Sequence, residues 1–446
     1  MSTTTYPQAA PTSPPPPPSA PDLPRLPAGP RWPRLVQTQM VWRRLKAFDE
    51  RWNRRYGDVF TIKALPWGTA VMIRDREMIK EIFTGDPSVF HAGEGNDMLA
   101  PVLGHQSVLV LDEDQHMQTR KRLLPPFHGE AVRIYGQAVE EIVRAEVARW
   151  PIGEPFALHP RMREVTLEVI LRTVIGVQAP ERLQELRRVL PDTVDIKFWT
   201  MAMWALPLLG YLPPWRRYKH TVRDAFALLD QEIARRREVP DLEQRTDVLS
   251  LLIVAGEMDD ANLRDQIMSL LLAGHETTTT ALAWTFERLL RTPLVLQRAR
   301  AAAAEGDDAY LDAVAKEALR CRPVIPAVTR RLTRPVKIGG YHFPAGVTLL
   351  PMITLMHDSA ELFPDPHSFR PERFLEGHSD TYAWIPFGGG RRRCIGAAFA
   401  MLEMRVTLRT ILNECELYAP DPRAEPVRNR HITLTPRYGT RVVRRS

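Results

Sequence analysis

The ten residues Phe387-Gly388-Gly389-Gly390-Arg391-Arg392-Arg393-Cys394-Ile395-Gly396 decide the fold, and they lie directly before a predicted helix at about 397–412. A cysteine at a helix N-terminus beside arginines has its thiolate favoured by the helix dipole and by positive charge, and the thiolate is the metal-binding form. Glycines let backbone amides approach the sulfur and donate hydrogen bonds to it. The loop therefore predicts a metal centre ligated by Cys394.

Two alternative functions of this loop fit its residues less well. A glycine-rich loop can hold phosphate, but the Walker pattern needs a Gly-Lys-Ser/Thr ending that this loop lacks. A lone cysteine is usually a small buried apolar residue. The arginines and glycines around Cys394 favour a metal ligand over both alternatives.

Two further segments carry charges at informative spacings. Glu317 and Arg320 are three residues apart on a predicted helix, so they share a face on which a carboxylate and a guanidinium can pair bidentately. Taken alone, that spacing usually marks an exposed pair worth under about 1 kcal/mol. The segment Pro371-Glu372-Arg373-Phe374 supplies another arginine further along the chain.

A long helix is predicted at 260–291, because this stretch has helical periodicity and no internal proline until its end. At ~1.5 Å per residue it would span about 45 Å, enough to cross a whole domain. It contains Ala273-Gly274-His275-Glu276-Thr277, in which small residues allow close approach to a flat group and a threonine hydroxyl can compete for a helix carbonyl. The simpler interpretation is a polar helix stripe, and we expect His275 to be a bystander.

In this order along the chain, these segments resemble the motifs of the cytochrome P450 family. The family's cysteine loop, Phe-x-x-Gly-x-Arg-x-Cys-x-Gly, is matched at Phe387, Gly390, Arg392, Cys394 and Gly396. Residues 317–320 fit its Glu-x-x-Arg helix, and residues 273–277 are similar to its oxygen-binding segment. The resemblance covers the chain from about residue 35 onward. It implies the cytochrome P450 fold, mainly α with a small β-rich lobe, as a single large domain at 34–446.

The resemblance also implies the cofactor, which is haem b (iron protoporphyrin IX) with Cys394 as the iron ligand. Arg373 would complete a triad with Glu317 and Arg320 that supports the cysteine loop. Haem carries two propionates that need cationic donors. The family places such donors at His116, Arg120, Arg330 and Arg392, with Arg331 as an alternative to Arg330. The remaining haem-contacting positions would be Ala273, Gly274, Phe387, Gly388 and Gly396.

The implied activity is a haem-thiolate monooxygenase that inserts one oxygen atom of dioxygen into a hydrophobic substrate, by C–H hydroxylation or epoxidation. The thiolate pushes electron density onto the iron and favours cleavage of the O–O bond. Glu276 and Thr277 would be the catalytic acid and alcohol that deliver protons. Peroxygenases of this family typically replace that pair. Its presence favours a monooxygenase over a peroxygenase or a non-catalytic haem sensor. An isomerase or an oxidative coupling catalyst is the alternative that product analysis with and without reductase would separate.

A separate chain must supply the electrons, because the sequence has no flavin-binding or iron–sulfur cysteine pattern. Resemblance to the soluble bacterial members implies a ferredoxin and an NAD(P)H-dependent ferredoxin reductase. The net charge of +7 fits an acidic partner. Arg391, Arg392 and Arg393, with Lys121 and Arg122, are the expected docking patch, and a solvated surface is the alternative. Nucleic acid is not an expected partner, and we expect a monomer.

Cysteine usage and the first residues indicate the setting of the protein. Cys321, Cys394 and Cys415 form no CxxC pair, which excludes a disulfide framework or a zinc site and favours a reducing, cytoplasmic location. The first 33 residues hold 12 prolines and lack the basic and apolar regions of a signal peptide. Residues 1–33 are therefore predicted to be a disordered tail without a membrane anchor.

The periodicity predicts helices at 35–56 and 76–84, further helices through 115–237, and one that ends near Arg320. Strands are predicted at 59–63 and 70–73 as a hairpin, at 336–338 and 347–351, and as a terminal pair near Ile432 and Val442.

By family analogy, residues 90–110 would line the substrate pocket, 198–212 would cover it and 324–328 would contact substrate near the iron. These stretches are largely apolar, so a hydrophobic substrate is expected.

Overall fold

The helix Asp260–Leu289 is 30 residues long, and most of its side chains are buried among other helices. It begins where the Asp259 carboxylate accepts a hydrogen bond from the Asn262 amide, as an N-cap residue does. The structure is a computed structural model, and it describes residues 26–194, 211–213, 215–377, 381–430 and 432–445. The predicted long helix is confirmed, and it ends at Leu289 rather than at Arg291.

The protein is mainly helical. Within the described residues, the α-helices are α1 (Arg34–Tyr56), α2 (Arg76–Thr84), α3 (Gly93–Asn96), α4 (Ala100–Leu103), α5 (Glu113–Leu123), α6 (Glu130–Val147), α7 (Leu158–Val169), α8 (Pro180–Val194), α9 (Trp215–Arg237), α10 (Val248–Ala255), α11 (Asp260–Leu289), α12 (Pro293–Glu305), α13 (Asp308–Cys321), α14 (Ile353–His357) and α15 (Ala397–Glu414). The predicted helices at 35–56 and 76–84 and the one that ends near Arg320 are confirmed as α1, α2 and α13.

The strands of the described residues are short. They are β1 (Val59–Ala64), β2 (Gly68–Ile73), β3 (Phe90–His91), β4 (Pro155–Ala157), β5 (Arg330–Leu332), β6 (Val336–Ile338), β7 (Tyr341–Phe343), β8 (Thr348–Pro351), β9 (Leu417–Tyr418), β10 (Val427–Arg430), β11 (Thr433–Pro436) and β12 (Arg441–Arg444). The largest sheet has the order β1-β2-β8-β5-β3. It forms the predicted β-rich lobe, and its own apolar clusters are separate from the helical core.

The hairpin of β1 and β2 is confirmed, with Val59 opposite Ile73 in antiparallel register. The predicted terminal strand pair is wrong in its pairing. β11 pairs with β10, whereas β12 pairs with β4 and β9. Adjacency along the chain favoured pairing β11 with β12, but β12 instead joins a strand from the middle of the sequence, and a contact of that separation leaves no local signal.

The N-terminal end of the described chain packs against β1. The Thr61 amide donates to the Ala28 carbonyl at 3.2 Å, and the Thr61 hydroxyl donates to the Pro27 carbonyl at 2.7 Å. A Cβ atom on Gly29 would lie 1.8 Å from the Thr61 carbonyl oxygen, so only glycine fits there. Pro27, Ala28 and Gly29, which fall within the predicted tail at 1–33, therefore contact β1. Residues 1–25 of the predicted tail and residues 198–210 of the predicted pocket cover lie outside the described residues.

Within the described residues, no helix combines the length and the apolar character that crossing a bilayer requires.

Candidate functional site: the cysteine loop and its surroundings

The cysteine loop is closed by its own backbone hydrogen bonds. The Cys394 amide donates to the Phe387 carbonyl at 2.9 Å, and the Gly388 amide donates to the Ile385 carbonyl at 3.0 Å. Gly388 and Gly390 have φ values of 66° and 61°, in the left-handed region that glycine adopts without strain. A Cβ atom on Gly390 would lie 1.9 Å from the Phe83 carbonyl oxygen. The glycines thus allow the loop to turn tightly against the end of α2.

A buried ion network lies behind the loop and has the predicted members. Arg320 donates bidentately to the Glu317 carboxylate at 2.7 and 2.8 Å. Arg373 donates to the same carboxylate at 3.1 Å, and all three side chains are buried. Burial opposes the charge of Arg320, but the hydrogen bonds that it donates to Glu317 and the nearby negative charge outweigh burial and raise the pKa of Arg320. The predicted pairing of Glu317, Arg320 and Arg373 is confirmed.

His357 connects this network to the cysteine loop, and no local pattern in the sequence predicts this role. Arg320 donates to the His357 carbonyl at 3.0 Å, while the His357 ring nitrogen Nε2 accepts from the Ile385 amide at 3.0 Å. Ile385 in turn holds the Gly388 amide. Burial lowers the pKa of His357 to about 3, so the ring is neutral and can accept this bond. A continuous hydrogen-bonded path therefore links Glu317 to the loop that carries Cys394.

The electrostatics of Cys394 differ from the sequence-based expectation. The residue is accessible, yet protein surrounds it closely enough that burial raises the pKa of its thiol. The Gly396 amide, Arg120 and Arg393 all lower that pKa, but they do not offset burial. The helix dipole and the arginines alone therefore do not lower the pKa of Cys394 enough to favour the thiolate. A bound metal ion would supply the missing stabilisation, because metal coordination deprotonates a thiol outright.

Four predicted cationic donors come together on one side of the loop. The pKa of His116 is lowered to about 3, mainly by burial and further by the positive charges of Arg392, Arg120 and Arg330. Burial also lowers the pKa of Arg330 and that of Arg392 to about 10, and the two guanidiniums repel one another. Asp112, which pairs with Arg392, partly opposes this shift. This cluster of positive charge, His116, Arg120, Arg330 and Arg392, is hereafter the cationic cluster.

The structure separates Arg330 from its neighbour Arg331. Arg330 is 6% exposed, and its Nη1 donates to the Thr329 carbonyl at 2.7 Å. Arg331 points the other way along β5, and its Nε lies 3.4 Å from a carboxylate oxygen of Glu94. Alternate residues of a strand face opposite sides. Arg330 therefore faces His116 and Arg392, and Arg331 does not.

The central part of α11 presents both accessible and buried residues. Ala273 is accessible although Leu271 and Leu272 are buried, and the Thr277 hydroxyl one turn later donates to the Ala273 carbonyl. Gly274 faces the other way, since a Cβ atom there would lie 3.2 Å from Cδ1 of Ile170. The small size of Gly274 serves packing between helices in this structure, and its role beside the cofactor stays a prediction.

Polar residues surround the two other members of that segment. The Nδ1 atom of His275 is hydrogen-bonded to the Thr166 hydroxyl at 2.9 Å, and burial lowers the pKa of His275 to about 3. The Glu276 carboxylate lies 3.5 Å from Nη1 of Arg430, 3.9 Å from Nε of Arg163 and 4.0 Å from His159. His275 therefore packs between helices, whereas Glu276 lies among cations next to Thr277.

The predicted docking arginines do not share one environment. Arg391 and Arg393 are exposed, but Arg392 points inward to Asp112. Arg122 pairs with Glu257 at 2.8 Å, while Lys121 is exposed. Of the five predicted patch residues, Arg391, Arg393 and Lys121 are thus the exposed ones.

The residues present fit a haem group. The donor set combines one accessible cysteine sulfur with a separate cluster of cationic donors, and a haem needs an axial ligand at its iron and cations at its two propionates. Arg330 is buried, yet among the described residues no carboxylate lies within 4 Å of its guanidinium to balance the charge. Burial of a charged guanidinium destabilises the folded protein unless an anion pairs with it. A propionate would supply that anion.

These features define the class of protein as a haem-thiolate enzyme, and comparison with known proteins gives the family. The family model for cytochrome P450 matches residues 24–442. Cytochrome P450 135B1 of Mycobacterium tuberculosis is 46% identical over 418 residues, which are 91% of this chain and 89% of that protein. Cytochrome P450 137 of the same species is 40% identical over 396 residues, covering 87% and 83%. The chain belongs to the cytochrome P450 family.

A solved structure supports the same fold. The retinoic acid-bound cyanobacterial CYP120A1 superposes with a TM-score of 0.84, covering 95% of this chain and 99% of that chain, at 22% identity. The protein is therefore a cytochrome P450 monooxygenase with the cytochrome P450 fold, and its cofactor is haem.

Proposed function

We propose that Cys394 is the thiolate ligand of the haem iron, and that Phe387, Gly388 and Gly396 form the pocket around its sulfur. The observation that carries this proposal is the convergence on Cys394 of the Gly396 amide, Arg120 and Arg393, which all favour the ionised sulfur. Backbone amides and cations beside a ligating sulfur tune the metal that it holds. Haem supplies the reductive activation of dioxygen once it is bound.

The absorption spectrum of the reduced carbon monoxide complex tests this ligand. Thiolate ligation gives a strongly red-shifted Soret band, so we expect Cys394→Ala to lose that band completely. Cys415→Ala is the matched control, because Cys415 is buried, and burial raises the pKa of its thiol to about 11. That variant should keep the band. A Cys394→Ala protein with an unchanged band would refute the assignment.

The cationic cluster would hold the haem propionates. Arg330 is buried and Arg392 is largely shielded from solvent, and both lie in an excess of positive charge. Charge-assisted hydrogen bonds to carboxylates are the strong ones. His116 is neutral in the chain alone and would donate an N–H hydrogen bond. Arg120 lies nearer to Cys394 and would serve the sulfur and a propionate together.

Thr277 and Glu276 would move protons to the dioxygen that is being reduced. The Thr277 hydroxyl lies beside accessible Ala273, and the Glu276 carboxylate lies within 4 Å of the Arg430 and Arg163 guanidiniums. We expect Thr277→Ala to bind haem normally but to divert about tenfold more of the consumed electrons into hydrogen peroxide, since loss of a proton donor costs catalysis by about that factor or more.

The test is the ratio of hydrogen peroxide formed to NADH consumed in the reconstituted system. Thr279→Ala is the control, because Thr279 is buried and donates to the His275 carbonyl at 2.8 Å away from the accessible face. An unchanged ratio in Thr277→Ala would exclude Thr277 from proton delivery.

Electrons would come from a ferredoxin and an NAD(P)H-dependent ferredoxin reductase, and the protein would act as a cytoplasmic monomer. Arg391 and Arg393 of the cysteine loop are exposed, as is Lys121, and complementary charge raises the rate of encounter with an acidic protein. Replacing the two arginines with glutamine should slow reduction by a ferredoxin and weaken its dependence on salt concentration.

The substrate would be a hydrophobic molecule, such as a terpenoid, a steroid, a fatty acid or a polyketide. Arg392 donates to the Val108 carbonyl at 3.4 Å, so the apolar segment around Leu109 and Val110 lies beside the cysteine loop. Val328 also lies beside the loop, with its Cγ1 atom 3.9 Å from the position of a Cβ on Gly388. An apolar pocket binds ligands mainly through burial of apolar surface.

A further inference from the structure

Asp112 accepts hydrogen bonds from a helix that belongs to the predicted pocket wall. Its two carboxylate oxygens accept from the Gly93 amide at 2.8 Å and from the Glu94 amide at 2.9 Å. These are the first two residues of α3, whose amides have no partner within the helix itself. Asp112 therefore fixes the start of α3 from a distant position in the chain.

The same carboxylate also binds an arginine of the cationic cluster. The Arg392 guanidinium donates to Asp112 and to the Leu111 carbonyl through one nitrogen, and to the Val108 carbonyl through the other. Arg392 and Asp112 are both largely shielded from solvent, with 16% and 14% of their side chains exposed. Solvent screens such a pair less than it screens a surface pair. One carboxylate thus joins the pocket wall to the residue proposed to hold a propionate.

Close packing leaves α3 little freedom beside these bonds. A Cβ atom on Gly93 would lie 2.6 Å from Oδ2 of Asp112 and 2.4 Å from the Val110 carbonyl oxygen. A Cβ atom on Gly95 would lie 2.5 Å from Oγ1 of Thr329, the residue before Arg330. The Thr329 hydroxyl also donates to the Asn96 side chain at 3.1 Å. α3 is therefore held between two segments that each carry a member of the cationic cluster.

We infer that Asp112 is a positioning residue for substrate recognition, which couples the pocket wall at α3 to the haem-anchoring guanidinium of Arg392. The inference rests on the proposed function, because it takes Arg392 as a propionate ligand and 90–110 as pocket wall. Without the carboxylate, the α3 amides and the guanidinium lose their shared partner, and the wall is no longer fixed relative to the haem. Ligands that touch the wall should then bind less tightly, whereas ligands that touch only the iron should not.

Two iron-binding probes of different size test this coupling. Imidazole is small enough to bind the iron alone, whereas 4-phenylimidazole carries an additional ring that would extend into the pocket toward α3. We expect Asp112→Asn to weaken the binding of 4-phenylimidazole by about tenfold and that of imidazole by less than about twofold. Such a difference is within the usual range for coupling between sites. The dissociation constants are measured by the shift of the Soret band in haem-loaded protein. Asp114→Asn, an exposed carboxylate two residues further on, should change neither constant.

A double-mutant cycle separates coupling from simple capping of α3. The ratio of the two dissociation constants is measured for Asp112→Asn, Arg392→Lys and the double variant. Residues that act through one contact give non-additive effects, so the double variant should be no worse than the more affected single variant. Additive effects would mean that Asp112 only caps the helix, and they would overturn the coupling. Equal weakening of both probes, or the same selective loss in Asp114→Asn, would overturn it as well.

Gly93→Ala keeps the experiment decisive if Asp112→Asn does not retain haem. Its added methyl group collides with the Asp112 carboxylate and the Val110 carbonyl while all charges remain. It should show the same selective loss of 4-phenylimidazole, and unchanged binding of both probes would refute the inference. The carbon monoxide spectrum of the wild-type protein separates this outcome from failure of the proposed function, because absence of the red-shifted band would contradict thiolate ligation by itself.

Discussion

The protein buries two groups of arginines, and the groups differ in what neutralises their charge. Arg320 and Arg373 share the Glu317 carboxylate, and these contacts raise the pKa of Arg320 despite its burial. In the cationic cluster, burial and mutual repulsion lower the pKa of Arg330 and that of Arg392 to about 10. Within the described residues, Asp112 is the one carboxylate within 4 Å of the arginines of that cluster.

This difference in counter-charge distinguishes arginines that stabilise the fold from arginines that would bind the cofactor. A buried ion pair is tolerable only when its partners and hydrogen bonds are complete, which is the state of the Glu317 network. The cationic cluster is incomplete in the chain itself, and two propionates would complete it. Removing a charge should therefore damage folding in the first group and cofactor retention in the second.

The largest effect is expected for Glu317→Gln. This change leaves two buried guanidiniums without their counter-charge, and breaking a buried pair typically costs about 3–5 kcal/mol. Urea unfolding of the haem-loaded protein, followed by circular dichroism, measures the loss. Glu372→Gln is the control, because Glu372 pairs with Arg298 at the surface, with its side chain 30% exposed. It should cost less than about 1 kcal/mol. Similar losses in both variants would contradict the special role of the Glu317 network.

The sequence predicted this network only in part, for a physical reason. Glu317 and Arg320 lie one helical turn apart, so local periodicity was sufficient to place them together. Arg373 entered only through the resemblance, because a contact across more than fifty residues has no local spacing. His357 and Asp112 were missed for the same reason. Their neighbours, Ile385 for His357 and Gly93 for Asp112, come from distant segments that only the fold brings together.

The fold shows the same division between local and distant information. Helices α1, α2 and α11 were predicted nearly to their ends, since each has its own apolar periodicity and ends at a glycine or lacks a proline. Strands β3 and β5 were missed because they have two and three residues and, unlike the equally short β6, are not followed by a glycine pair that marks a turn. Yet β5 carries Arg330, and only the pairing of β5 with β8 shows that Arg330 faces inward.

The second effect concerns the other group of arginines. Arg330→Met should speed the transfer of haem to apomyoglobin by about 10- to 100-fold, because a charge-assisted hydrogen bond contributes about 1.5–3 kcal/mol. It should leave the urea midpoint almost unchanged, since methionine fills the site without a buried charge. Arg331→Met is the matched control, with its side chain 41% exposed and next to Glu94, and it should not change haem transfer. A large fall in the urea midpoint of Arg330→Met would remove the distinction between the two groups.

The smallest expected effect is on the pH dependence of the free energy of unfolding, and it involves one histidine from each group, His357 and His116. In the chain alone, the pKa of His357 and that of His116 are both lowered to about 3, whereas an unfolded histidine titrates near 6.5. Between those values the unfolded chain binds a proton that the folded chain does not. The free energy of unfolding therefore falls with falling pH by up to about 1.36 kcal/mol per pH unit for each such histidine.

Bound haem should remove this dependence for His116 but not for His357. Propionates beside His116 would raise its pKa back toward the unfolded value, whereas His357 is hydrogen-bonded within the Glu317 network and is not a member of the cationic cluster. In haem-loaded protein, His357→Gln should therefore flatten the fall of the urea midpoint between pH 6.5 and pH 5, and His116→Gln should not. Exposed His128 provides the control variant His128→Gln, which should follow the wild type. Equal flattening by both buried histidine variants would mean that no anion completes the cationic cluster, and the two groups of charges would then be alike.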